Sequence, residues 1–118
     1  MISGKDIATG ITQAKWPGRI EKIDPARYSH LADKNVQIYL DGAHNEAGAQ
    51  VLASWIKEAF HTPVYLIIGM TRNRPVEKFC QHFHGIITEG RAVKILSEPS
   101  SYDPDTIVQK SRKCNINL

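Results

Sequence analysis

The sequence predicts an α/β fold in which helices cover both faces of a mostly parallel sheet. Two short runs of β-branched, aromatic and aliphatic residues, 36–40 and 64–68, have the composition of buried strands. Between them, residues 46–60 repeat apolar side chains at the spacing of a helix. Strands that alternate with helices form βαβ units, and the strands of such units run parallel.

Composition limits the class of protein. The chain has 118 residues, 42% of them hydrophobic, which suits one domain with a buried core. The net charge is +3, and Lys and Arg are scattered rather than clustered, so we expect no nucleic-acid partner. Two cysteines form neither a disulfide framework nor a zinc motif. The sequence shows no signal peptide and no membrane span, so we expect a cytoplasmic chain without a membrane partner.

The N-terminal half is predicted to alternate between regular elements and breaks. Trp16-Pro17-Gly18 ends any preceding helix, because proline and glycine disfavour a helix interior. Asn45 is an expected N-cap, since its side chain can accept a hydrogen bond from the first helical turn. The predicted elements are the end of a helix at 3–11, a strand at 19–23, the strand at 36–40 and the helix at 46–60.

The C-terminal half is predicted to continue this alternation. Pro75 and the pair Asp103-Pro104 are typical helix starts, because the first turn does not use the N–H group that proline lacks. The expected elements are the strand at 64–68, a helix at 75–83, strands at 85–88 and 92–96, a helix at 104–113 and the beginning of a strand at 115–118. We therefore expect the final strands of the sheet to be missing.

Candidate chemistry lies after the strong strands, because ligands of open α/β sheets bind beyond the carboxyl ends of the strands. Asp41 can accept bonds from sugar hydroxyls, and His44 stands beside a helix start, which attracts phosphate or carboxylate. Arg19 has the fork that suits phosphate oxygens. For each residue alone there is also a purely structural interpretation: a common turn pair, a bystander histidine or a surface arginine. A second candidate connection is the loop at 69–75.

Three other kinds of site find no support in the sequence. Cys80, His82 and His84 are metal-ligand types, but no second ligand cluster accompanies them, so no metal site is predicted. There is no Gly-x-Ser-x-Gly elbow of a serine hydrolase. There is also no G-x-x-x-x-G-K-[ST] loop, so other protein would have to hold most of the phosphates of any bound ATP.

Two motifs and their order carry a family resemblance. Trp16-Pro17-Gly18-Arg19, then Asp41-Gly42-Ala43-His44-Asn45, then Gly69-Met70 resemble the C-terminal domain of folylpolyglutamate synthases and dihydrofolate synthases, in the Mur ligase superfamily. The resemblance covers nearly the whole chain. It implies a Rossmann-like domain, with residues 1–118 forming that domain and residues 1–15 a remnant of the preceding interdomain helix or hinge.

The resemblance implies part of an ATP-dependent ligase. In this family ATP phosphorylates a carboxylate of folate or dihydropteroate, and L-glutamate then attacks the acyl phosphate. An N-terminal domain carries the P-loop and holds Mg²⁺. By similarity, Arg19, Asp41 and Asn45 are the implied nucleotide-binding residues and His44 the implied catalytic residue. The implied partners are ATP, L-glutamate, a folate or dihydropteroate substrate, and that P-loop domain in cis or in trans.

The chain also departs from the family pattern. Glu46 follows Asn45 where the family usually has proline, and residues 71–75 read Thr-Arg-Asn-Arg-Pro where Asp-Lys-Asp is common. We expect a fragment that is truncated at both ends and not catalytic alone. A non-catalytic remnant or interaction module of the same fold, and the C-terminal domain of a cell-wall Mur ligase, are the alternatives. The preference between folate and dihydropteroate stays open.

Overall fold

The computed structural model describes residues 19–28 and 35–118, which fall into two compact units. The first unit ends at Gly42 and the second comprises Ala43–Leu118. The helix end predicted at 3–11, the hinge remnant at 1–15 and the break at Trp16-Pro17-Gly18 lie outside the described residues.

The first unit is built on a short antiparallel pair. Strand β1 (Glu21–Ile23) pairs with strand β2 (Ile38–Leu40), with Glu21 opposite Leu40. A single 3-10 turn, Pro25–Arg27, follows β1. Both strands confirm the predictions at 19–23 and 36–40, although each is only three residues long. The pairing of β2 with β1 is antiparallel, whereas the sequence predicted a mostly parallel sheet.

The second unit alternates helices with parallel strands, which confirms the mixed α/β class. Strands β3 and β4 pair in parallel, with Tyr65 opposite Glu89 and Ile68 opposite Ala92. The elements in chain order are α1 (Glu46–Ala59), β3 (Tyr65–Ile68), α2 (Val76–Cys80) with a 3-10 turn (Gln81–Phe83), β4 (Glu89–Ala92) and α3 (Pro104–Arg112).

The prediction of two strands at 85–88 and 92–96 is wrong, because a single strand, β4, forms there and overlaps the predicted ranges only at Ala92. Apolar side chains precede and follow β4, and strands were predicted at those apolar positions. The strand itself reads Glu-Gly-Arg-Ala. The glycine in this strand, Gly90, has a packing reason. A Cβ atom there would lie 2.7 Å from the carbonyl oxygen of Leu66 on β3, so this close approach requires glycine.

The core of the second unit joins all three helices to the sheet. On β3, Leu66 and Ile68 pack into this core, whereas Tyr65 and Ile67 on the opposite face are 66% and 74% exposed. Phe83 and Ile107 are fully buried and place α2 and α3 against the same cluster. The predicted helix is confirmed in α1, and its buried residues are Ala49, Ala53 and Ile56. Of the larger apolar side chains that predicted it, Leu52, Trp55 and Phe60 pack beside them, whereas Val51 is 65% exposed.

The C-terminal segment reaches the sheet without forming a strand. The beginning of a strand predicted at 115–118 is wrong as secondary structure, but the N–H of Gly90 donates to the carbonyl of Asn117 at 2.9 Å. Ile116 is buried in the core. Within the described residues, none of the helices has both the length and the apolar character to cross a bilayer.

Candidate functional site

In the first unit, Asp41 ties the end of β2 to the residue next to Arg19. Asp41 directly follows β2, and its Oδ2 accepts a hydrogen bond from the backbone N–H of Ile20 at 2.9 Å. A bond to a charged acceptor is stronger than one between neutral groups. The sequence predicted that Asp41 faces a ligand; the structure adds that it positions the backbone beside Arg19, whose side chain is exposed.

Ile20 has an unusual backbone conformation. Its φ is 48°, in the left-handed region that β-branched residues rarely occupy. Such a conformation costs about 1–3 kcal/mol, and it persists only where the surroundings hold it. The bond from Ile20 to Asp41 is one such restraint. The first unit therefore fixes the course of the chain directly after Arg19.

In the second unit, Asn45 caps α1 as predicted. Its Oδ1 accepts from the N–H of Gly48 at 2.8 Å, and its carbonyl accepts from the N–H of Ala49 at 3.0 Å. Glycine at position 48 suits the cap, because a Cβ atom there would lie 3.1 Å from Cβ of Ala43 and 3.3 Å from Oδ1 of Asn45. The turn thus begins a 14-residue helix in a defined geometry.

His44 precedes the cap and is exposed. It lies at the N-terminal end of α1, where the helix dipole and the first N–H groups favour anions. The N–H groups of Glu46 and Ala47 have no acceptor within the helix, since only later residues have a carbonyl four positions back in the same helix. An exposed histidine beside such donors can contact a phosphate or a carboxylate.

The predicted residues fall into two pairs, one in each unit. Arg19 and Asp41 are brought together in the first unit through Ile20, and His44 and Asn45 adjoin each other at the start of α1.

Sequence reasoning missed a contact that fixes the first turn of α1. The Oε1 atom of Glu46 accepts from Nε2 of Gln81 at 3.0 Å and contacts Nε2 of His82 at 3.2 Å. The sequence indicates His82 only as one of three metal-ligand residue types, with Cys80 and His84, for which no metal site is predicted. The contact spans 36 residues of sequence, so no local pattern could have predicted it.

The second candidate connection, at 69–75, is hydrogen-bonded to residues 100–102, in the loop that follows β4. The hydroxyl of Tyr102 donates to the carbonyl of Arg72 at 2.7 Å, and the N–H of Arg72 donates to Ser100 at 2.7 Å. A bridge between Thr71 and Ser101 joins the same two segments. These bonds fix the backbone of the loop and leave the Arg72 side chain exposed.

The two cysteines are unsuited to nucleophilic chemistry. Burial, with a smaller contribution from nearby Cys114, raises the pKa of Cys80 to about 12. Burial also raises the pKa of Cys114, whose thiol donates to the carbonyl of Glu77 at 3.3 Å. Because the thiolate is the reactive form, a raised pKa disfavours nucleophilic chemistry at both side chains.

Comparison with known proteins gives a consistent result. Residues 24–95 match the family described as "Dihydrofolate synthetase, C-terminal domain", a range that includes Asp41 to Asn45 but not Arg19. The dihydrofolate synthase/folylpolyglutamate synthase of Bacillus subtilis is 29% identical over 86 residues. This match covers 72% of the chain but 18% of the relative, so the chain spans less than a fifth of that protein's length.

Solved structures agree with this match. The folylpolyglutamate synthase of Thermotoga maritima superposes with a TM-score of 0.72 at 26% identity, over 98% of this chain and 26% of that one. A bifunctional folylpolyglutamate synthase/dihydrofolate synthase with Mn, AMPPNP and L-glutamate bound has a TM-score of 0.68 at 18% identity, over 92% of this chain and 24% of that one. At such low identity the second likeness shows the fold alone.

Proposed function

Because the chain belongs to the dihydrofolate synthetase C-terminal domain family, we propose that it supplies nucleotide and glutamate contacts to an ATP-dependent ligase. That ligase would add L-glutamate to folate or dihydropteroate through an acyl phosphate. A solved structure of the same fold holds a nucleotide analogue, Mn and L-glutamate, and the ligands proposed for this chain are of the same kinds. ATP would supply the phosphoryl group that activates the carboxylate.

The observation that carries the proposal is the capped start of α1. Exposed His44 stands directly before Asn45, whose side chain closes the first turn on Gly48. The nearby N–H groups of Glu46 and Ala47 have no intrahelical acceptor. A phosphate or a carboxylate is the ligand that these donors favour, and both occur in the proposed reaction.

Each site residue has a proposed task. Arg19 contacts the phosphates of ATP, and Asp41 binds the ribose while it holds the backbone at Ile20. His44 contacts the phosphate or the incoming glutamate and stabilises the charge that develops there. Asn45 holds the turn in the geometry that presents these donors.

The proposed enzyme also needs a domain that the 118 residues do not contain. They include no G-x-x-x-x-G-K-[ST] loop, so we propose that a P-loop domain, in cis or in trans, holds most of the phosphates and the Mg²⁺. The chain alone is then not catalytic. The reaction itself requires both parts to enclose the substrate.

Reconstitution of glutamate ligation tests this proposal. The chain replaces the corresponding domain of the Bacillus subtilis relative, and it is also mixed with that protein's separate P-loop domain. We expect ATP-dependent addition of L-glutamate in at least one format, and a rate about a hundredfold lower with His44→Ala. Glu58→Ala, an exposed change near the other end of α1, is the matched control and should keep the rate. If neither format forms an ATP-dependent product, the proposal fails.

A further inference from the structure

The carboxylate of Glu46 poses a problem for the proposed site. Glu46 is the first residue of α1, so it carries a negative charge to the place where the proposed ligand brings its own. A carboxylate there is favourable for the empty helix, because it interacts with the positive end of the dipole. For an anionic ligand the same group is a competitor, since it repels the ligand and can occupy the N–H groups that would bind it.

In the structure, the carboxylate of Glu46 is bound by side chains outside α1. Its hydrogen bonds run to Gln81 and His82, in the 3-10 turn that follows α2, and among the described residues none runs to an N–H group of α1. A carboxylate can only accept, so Nε2 of His82 carries the hydrogen in this contact. Two donors on one oxygen both restrain the side chain and stabilise its negative charge.

The restraint is well anchored. Phe83, the next residue after His82, is fully buried in the core against α2 and its neighbours. His82 itself has a side chain that is 23% exposed, whereas Glu46 is 49% exposed. The 3-10 turn that carries the two donors is therefore anchored in the core of the second unit, although the Gln81 side chain itself is exposed.

From this geometry we propose that Gln81 and His82 are positioning residues that keep the Glu46 carboxylate away from the anion-binding start of α1. The inference rests on the proposed function, because it takes that start to bind the phosphates or the glutamate. It adds a specific role for the 3-10 turn at Gln81–Phe83, which binds the carboxylate that would repel the ligand.

The positioning role predicts the direction in which the affinity for an anionic ligand changes in each variant, whereas a merely structural contact predicts no such pattern. Removing both donors with Gln81→Ala/His82→Ala releases the carboxylate, so the affinity for an anionic ligand should fall about two- to fivefold, the size of one charge effect at a helix end. Adding Glu46→Ala to that variant should restore the affinity, because the competitor is gone. Glu46→Ala alone should bind at least as well as the unchanged chain.

Nucleotide titration of the ¹⁵N-labelled chain tests the inference. ADP is the anionic probe and adenosine, which has no phosphate, is the neutral one; the shifts of the amides at 44–48 give each affinity. Glu58→Ala removes an equal charge near the other end of α1 and should leave both affinities unchanged. His82→Gln keeps a donor and should bind ADP like the unchanged chain, and circular dichroism confirms that each variant is folded.

The possible results separate the two proposals. If the unchanged chain binds ADP and the Gln81/His82 variant binds it equally well, the positioning role is wrong and the proposed function stands. The same holds if Glu46→Ala weakens ADP binding as much as the double variant does, or if adenosine affinity falls in parallel. If the unchanged chain shows no response to ADP at 44–48, the proposed ligand site fails and the inference fails with it.

Discussion

The core of the second unit and the polar start of α1 are held by different forces. Core side chains such as Phe83 and Ile107 are fully buried, and burial of one such side chain stabilises a fold by about 1.5–3 kcal/mol. Asn45 and Glu46 are exposed and are fixed by hydrogen bonds, each worth about 1 kcal/mol net. Because its hydrogen bonds contribute less than the core, the proposed site can be altered without loss of the fold that carries it.

The largest expected effect lies in the core. Phe83→Ala removes a ring with no exposed surface, so the free energy of unfolding should fall by about 3–5 kcal/mol. Urea denaturation measures the loss, and Phe83→Leu provides a milder variant that keeps most of the volume. Val51→Ala on α1 is the control, because Val51 is 65% exposed and its loss should change little. Equal losses at the two positions would contradict the comparison.

A smaller effect is expected in the first unit. Asp41→Ala removes the charged acceptor for the N–H of Ile20, a bond worth about 1.5–3 kcal/mol. Because Ile20 has a φ of 48°, we expect the backbone there to relax once the bond is lost. Hydrogen exchange of the Ile20 amide should become faster, and Asp41→Asn, which keeps an acceptor, should preserve most of the protection. An unchanged exchange rate in Asp41→Ala would show that other contacts fix this turn.

The helix cap should contribute less. Asn45→Ala removes the acceptor for the N–H of Gly48, which costs about 1 kcal/mol of stability. Asn45→Asp keeps the acceptor and should retain the stability of the unchanged chain. The loss should appear as fraying of the first turn, measured by amide exchange at Gly48, while amides near Ile56 stay protected. A cooperative loss of protection along all of α1 would mean that the polar start is part of the core.

The smallest effect is expected at the second connection. Tyr102→Phe removes a hydroxyl that donates to the carbonyl of Arg72 at a partly exposed position, so the loss should be about 0.5 kcal/mol. The backbone bonds from Arg72 to Ser100 and from Tyr102 to Met70 remain in this variant. Thermal unfolding should therefore change little, whereas amide exchange at Arg74 should rise. A loss of more than about 1.5 kcal/mol would show that the hydroxyl braces more than this loop.

The sequence was informative wherever a local pattern determines the structure. The apolar spacing of α1, the cap at Asn45 and the apolar run of β3 are set by neighbouring residues, so they could be predicted. β4 could not, because Gly90 serves a close approach to Leu66 that only the paired strands create. Likewise, β1 and β2 pair across 14 intervening residues, and the sequence of neither strand indicates with which strand it pairs.

The candidate site divides in the same way. Asn45 follows from cap chemistry, and Asp41 and His44 from a short motif after a strand, although their contacts with ligand remain predictions. The restraint on Glu46 depends on His82, 36 residues away, and on a core that positions the 3-10 turn at Gln81–Phe83. Long-range polar contacts of this kind have no sequence period, so only the folded chain reveals them.

The most direct test of the account is a map of the ADP-induced amide shifts along α1. We expect the shifts to concentrate at 44–48, where exposed His44 and the first N–H groups lie, and to be absent at the opposite end of the helix. At that end, Ile56 and Lys57 line a small cleft together with Gly85, and the amide shifts there are the comparison for those at 44–48. Shifts confined to this cleft, or none at 44–48, would contradict the proposal that the start of α1 binds the nucleotide.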